Sequence, residues 1–146
     1  MGEGAIDGVY VSDVRVVRGQ RIWIGGFLGE HVGTLVDSAS VVRFAYAHRW
    51  LDAPGADPDV RGTVTRTVRP DGVRHDVELA TRLPHPIEVD VLVDLEPDLT
   101  DLQDIKSGDA SPPDLEVELD GSRARWRDSH VEAMLSAPGA DVTRQG

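Results

Sequence analysis

Apolar and polar positions alternate along this chain far more often than apolar residues recur at helical spacing. The longest such run spans Ile87 to Glu96. Ile87, Val89, Val91, Val93 and Leu95 fall on one face; Glu88, Asp90, Asp94 and Glu96 fall on the other, with Leu92 the one apolar residue among the acids. A period of two predicts a half-buried strand. The segment that follows, PDLTDLQDIK, changes to a period near three. Leu99, Leu102 and Ile105 form an apolar stripe, and Asp98, Asp101 and Asp104 an acidic one. This predicts a short helical turn over 98–106, with Asp98 at the N-cap and Asp101 three residues later, both favouring the positive end of the helix.

Strand signals recur elsewhere. Val9 to Val17 is β-branched and stops at Arg18-Gly19, and Arg21 to Ile24 stops at Gly25-Gly26. In Val41 to Trp50, the residues Val42, Phe44, Tyr46, His48 and Trp50 share one face. Asp52 to Asp59 is a turn-rich loop. Val60–Val68 and Val73–Leu83 flank Pro70-Asp71-Gly72, which suits a hairpin turn closed by a left-handed glycine, with Val64 and Val68 facing Val77 and Val73. Leu83-Pro84-His85-Pro86 interrupts the ladder by removing amide donors.

Leu115 to Trp126 predicts a second hairpin. With Asp120-Gly121 as a two-residue turn, Leu119 pairs with Ser122, Glu118 with Arg123, Val117 with Ala124, Glu116 with Arg125 and Leu115 with Trp126. One face then carries two Glu–Arg pairs and the other the apolar side chains. Ala110-Ser111-Pro112-Pro113 reads as a linker, and 137–146 as a frayed tail. The expected fold is all-β: an antiparallel β-sandwich with one short helical turn, in a single domain over 1–146.

The 146 residues suit one domain with a core of its own. The formal net charge of −11 argues against nucleic acid as a partner, because phosphate contact needs a basic surface. The cations are arginines apart from Lys106. With no cysteine, disulfide scaffolds, thiolate metal sites and a thiol nucleophile are excluded; the absence is compatible with a cytoplasmic location. Nothing approaches the roughly 20 apolar residues of a membrane span, and MGEGAIDG has no signal-peptide pattern.

No motif announces an active site. The acidic turn has three readings: a capped plug at one end of the sandwich, a contact surface for a neighbouring domain or ligand, or a calcium site using Asp94, Glu96, Asp98 and Asp101. The last lacks the spacing and central glycine of an EF-hand. Asp13 and Arg15 share a strand face and form a buried ion pair with each other or with a neighbour. Phe44 and Tyr46 read as core or as a sugar-stacking stripe, and Trp50 stands beside the turn-rich loop. His48 and His75 lie on separate strands, so a zinc site between them depends on the fold. The sequence calls for no cofactor.

Two segments carry a family resemblance. DLEPDLTDLQDIKSG resembles the DADFADLFEVKG type of motif in the N-terminal domain of bacterial glycogen debranching enzyme-like proteins of the amylo-α-1,6-glucosidase type, and GVYVSDVRVV resembles a GLYVxDTRVLS motif of the same domain. Arg66 in VTRTV matches that domain's arginine-bearing strand. The resemblance covers about 8–126. It departs at Leu99 and Gln103, where the family motif has phenylalanines, at Thr81, where the family has asparagine, and at Val14, where it has threonine.

The resemblance implies a β-sandwich that precedes a helical barrel bearing the catalytic carboxylates for α-1,6-glucoside hydrolysis. The chain itself has no such barrel. It is expected to be the non-catalytic accessory domain, with Asp13, Arg15, Trp50, Arg66, Asp98, Asp101 and Lys106 as candidates for contact with that barrel or with an α-glucan. The alternatives are an independent carbohydrate-binding module and a homo-oligomeric structural domain, such as a homodimer.

Overall fold

A computed structural model describes residues 7–51, 57–111 and 114–144. Most of the turn-rich loop at 52–59, Pro112-Pro113 of the linker, the first six residues and the last two lie outside the described residues. The strands are β1 (Val9–Val11), β2 (Val14–Ile24), β3 (Phe27–Leu28), β4 (Glu30–Ser38), β5 (Val41–Ala47), β6 (Val60–Arg69), β7 (Gly72–Thr81), β8 (Val91–Asp101), β9 (Glu116–Asp120), β10 (Arg123–Arg127) and β11 (Glu132–Ser136). Among the described residues, a 3-10 turn covers Arg49–Leu51 and a helix, α1, covers Leu102–Ser107. The fold is therefore the all-β, antiparallel sandwich class that the alternation predicts.

The strands form three sheets: β1–β2–β3 with β8 against β2, β4–β5–β6–β7, and β11–β10–β9. Two compact units result, one of Met1–Gln20 with Leu95–Gly146 and one of Arg21–Asp94. In the first, two sheets face each other across a core of Val17, Leu99, Ala124 and Trp126, with Val14, Leu95 and Val117 packed around it. In the second, the β4–β7 sheet keeps Phe44, Val64 and Val77 in register on one face and Arg43, Thr65 and Asp76 on the other.

The β6–β7 hairpin has the expected pairing, with Val64 opposite Val77 and Val68 opposite Val73. Other boundaries differ from the sequence reading. Val9–Val17 is not one strand: Ser12 takes a left-handed φ of 54° and turns the chain at Ser12-Asp13, so Val11 pairs with Val14. β2 then continues through Arg18-Gly19 to Ile24. β4 and β11 escape the sequence reading. β4 carries two register irregularities that blur its alternation.

The second hairpin has the right strands and a different register. Asp120 pairs with Arg123, Glu118 with Arg125, Val117 with Trp126 and Glu116 with Arg127. The turn is Gly121-Ser122, and only Gly121 has positive φ, at 56°. That is the type II′ requirement, with glycine at the first central position, rather than the type I′ turn expected at Asp120-Gly121. Each residue's partner moves by two, so every side chain keeps its face.

After β11 the chain is tied back by Ala137 N–H to Ser122 C=O at 2.8 Å and Val142 N–H to Gly121 C=O at 2.9 Å. Among the described residues, no helix is long and apolar enough to cross a membrane.

Candidate functional site

The acidic motif and the arginine of the β1–β2 motif meet in the first unit. Arg15 and Val17 point inward from β2, and Asp98, Leu99 and Thr100 are all buried at the end of β8. Arg15 Nε donates to Asp98 Oδ2 at 2.6 Å, with the two side chains only 7% and 4% exposed. The other carboxylate oxygen accepts the Thr100 backbone N–H at 2.9 Å and the Thr100 hydroxyl. The Asp98 carbonyl and the Val16 carbonyl share the Trp126 indole N–H, at 3.2 and 3.1 Å. Both oxygens of the buried carboxylate thus have donors, which a desolvated charge requires.

Asp98 is accordingly a strand residue and not the N-cap expected of it. The cap is Asp101, whose φ and ψ of −63° and 141° are extended and whose side chain accepts Gln103 N–H at 2.7 Å. Leu102 N–H, another donor of the first turn, goes to the Asp13 carbonyl at 2.7 Å. Gly108 closes the helix at a left-handed φ of 80°, and Lys106 lies in the last turn, where a cation suits the dipole. Asp13 itself is exposed in the Ser12-Asp13 turn, so Arg15 takes its buried partner from β8.

The four acids of the calcium reading go to separate partners. Asp94 lies 3.8 Å from Arg21, Glu96 pairs with Arg18 at 2.8 Å, Asp98 takes Arg15 and Asp101 caps α1. Among the described residues, no group of three histidines or acids is placed to hold a metal ion.

Trp50 and Arg66 belong to the second unit. Trp50 Nε1–H donates to the Ile24 carbonyl at 3.1 Å, and its ring meets Phe27 at 5.2 Å and His48 edge-on at 5.3 Å. His48 is 2% exposed and fits over Gly62: a methyl there would lie 2.5 Å from His48 Nε2. Burial lowers the pKa of His48.

Arg66 stands 5.4 Å from the Phe44 centroid and donates from Nε to His75 Nε2 at 2.8 Å. Accepting that bond requires a neutral imidazole; burial, then the nearby Arg66 charge, push the His75 pKa down to about 4. His31 joins the cluster at 5.6 Å from Tyr46 and 6.5 Å from Phe44. Phe44 and Tyr46 are half-buried and neither belongs to the fully buried set. Burial raises the Tyr46 pKa, with Arg66 opposing.

The structure therefore splits the sequence-selected residues. Arg15, Asp98, Asp13 and Asp101 fasten the β2–β8–α1 junction, with Lys106 on the same helix; Arg66 and Trp50 stand in two ring clusters of the other unit. Sequence reading missed His31 and Phe27, and it weighed His48 and His75 as zinc ligands, whereas His48 packs on Trp50 and His75 accepts from Arg66. Counting two residues inward from the Val68–Val73 pair in the predicted hairpin puts Arg66 opposite His75.

A sequence model of the family described as the N-terminal domain of (some) glycogen debranching enzymes matches residues 1–144. The chain belongs to that family. No curated protein and no solved structure matches it.

Proposed function

We propose that this chain is a non-catalytic β-domain that supports the helical-barrel catalytic part of a cytoplasmic debranching enzyme, the part that hydrolyses α-1,6-glucosidic bonds. The observation that carries the reading is the use of the family's acidic motif. Asp98 is spent on Arg15 and Thr100, and Asp101 on capping α1. Both side chains serve as acceptors within the fold, Asp98 to Arg15 and Thr100 and Asp101 to Gln103 N–H. Where carboxyl pKa values shift among the described residues, at Asp37, Asp76, Glu116 and Asp128, they fall.

The test uses glycogen limit dextrin. The chain alone is expected to release no glucose, and to raise the thermal midpoint and activity of a debranching catalytic part expressed without its own N-terminal domain. Glucose release by the purified chain would overturn the reading. The half-buried cluster of Phe44, Tyr46, His31 and Arg66 favours a second reading, a carbohydrate-binding module. Retardation of the chain in a glycogen affinity gel, lost in Tyr46→Ala, is the result that would support it.

A further inference from the structure

Strand β7 is a long, regular edge. It lies last in the β4–β5–β6–β7 order, so among the described residues no strand pairs with its outer side. Its ten residues keep one unbroken register with β6 and contain no proline. β4, at the opposite edge, is interrupted by two register irregularities, a common guard against edge-to-edge pairing. β7 carries charges but no bulge, and the order of its charges is informative.

The phase of the ladder shows which groups the edge offers. Arg82 N–H donates to the Asp59 carbonyl at 3.0 Å, which continues the β6–β7 pairing by one step. Even-numbered residues of β7 therefore turn their amides toward β6, and Val73, His75 and Val77 turn theirs outward. The side chains divide by the same parity. Val73, His75 and Val77 share a face with Val68, Arg66 and Val64, and Arg74 and Asp76 share the other with Thr67 and Thr65.

We propose that β7 pairs antiparallel with β7 of a second copy, about a two-fold axis at His75, so that two four-stranded sheets become one. Centred there, Arg74 stands opposite Asp76 of the second copy and Asp76 opposite its Arg74. Both fall in non-hydrogen-bonded pairs, where side chains come closest. On the other face Val73 meets Val77 twice and covers a valine that is 37% exposed. Val73, His75 and Val77 exchange about six backbone hydrogen bonds with their counterparts. The adjacent registers fail on charge. A shift one way sets Arg74 against Arg74, and a shift the other way sets Asp76 against Asp76.

The axis itself is compatible with pairing. Arg66 donates to His75 Nε2 at 2.8 Å, so the imidazole is neutral and two can meet there. Within one chain Arg74 Nε lies 2.9 Å from both oxygens of Asp76, and the second copy adds another cation beside each carboxylate. These exposed charges choose the register more than they supply affinity. The net charge of −11 opposes association mainly at long range, where physiological salt screens it beyond about 8 Å. One strand pair is a small contact, so the dimer is weak and depends on concentration.

Sedimentation velocity of the full chain, from low micromolar to near-millimolar concentration, is the test. The native chain is expected to pass from monomer to dimer. Arg74→Asp and Asp76→Arg each set like charges opposite one another and are expected to raise the dissociation constant about tenfold or more. An equimolar mixture of the two variants regains both opposite-charge pairs and is expected to dimerise as the native chain does. Because recovery needs both chains, it cannot come from a change in the fold of either. Val36→Asp, at a 70% exposed residue of β4, is expected to leave the dimer unchanged.

A native chain that stays monomeric throughout would overturn the proposal, as would a dimer indifferent to both single changes. A dimer lost in Val36→Asp and kept in Arg74→Asp would move the contact to β4 and overturn the β7 pairing. Variants that fold with native thermal midpoints yet stay monomeric when mixed would contradict the register centred on His75.

Discussion

The two compact units spend their apolar and charged residues in opposite ways. The first closes two sheets over Val17, Leu99, Ala124 and Trp126, and it pays the desolvation of Arg15 and Asp98 with a complete set of hydrogen bonds. The second buries Ile24, Ala47, Val60 and Val64, but holds ten of the twelve large apolar residues that are exposed among those described. A closed unit with a satisfied buried pair can be read from its own contacts. The open one leaves apolar side chains exposed at successive positions of β8, Val91, Leu92 and Val93, so exposure there does not follow the alternation.

The largest effect is expected in the first unit. Asp98→Ala strands the Arg15 guanidinium and removes the acceptor of Thr100, so it should cost about 3–5 kcal/mol, the usual penalty for breaking one side of a buried pair. Chemical denaturation would measure it. Arg15→Met with Asp98→Leu should recover much of the loss, because the penalty lies in the unpaired charge. A loss under 1 kcal/mol for the single variant would mean that the pair does not organise this unit.

A smaller effect is expected in the second unit. Gly62→Ala puts a methyl 2.5 Å from His48 Nε2 and should cost about 1–3 kcal/mol through overpacking. No change in the denaturation midpoint would show that His48 swings aside freely.

The second unit should also respond to mild acid. His48 and His75 have folded pKa values below the ordinary 6.5, that of His75 at about 4, so the unfolded chain binds protons there that the folded unit does not. Stability is fully present above pH 6.5 and is lost as pH falls toward 4. Unfolding curves across that window should steepen this loss in the native chain and flatten it in His75→Gln. An unaltered pH profile in the variant would contradict the neutral His75–Arg66 contact. The smallest effect belongs to Arg127→Ala, which removes exposed, solvent-screened pairs with Glu116 and Glu118 and should leave the chemical denaturation midpoint unchanged.

Much of this was legible in the sequence because alternation and turn chemistry are local. The β6–β7 register followed from Pro70-Asp71-Gly72, and the faces of the β9–β10 hairpin survived an error in register because a shift of two preserves them. What was not legible depended on distant partners. Ile87–Asp90 alternates as well as any strand, but β2 gives way at Gly25-Gly26, whose φ values of 59° and 85° turn the chain, so β8 begins only at Val91. Asp98 resembled a helix cap until Arg15, 83 residues away, claimed it for the strand.

Hydrogen exchange of the native chain beside Asp98→Ala tests the contrast between the units most directly. Loss of the buried pair is expected to lower protection in β9–β11 and α1 and to leave β4–β7 unchanged. An equal loss of protection in β4–β7, or none in β9–β11 and α1, would contradict it.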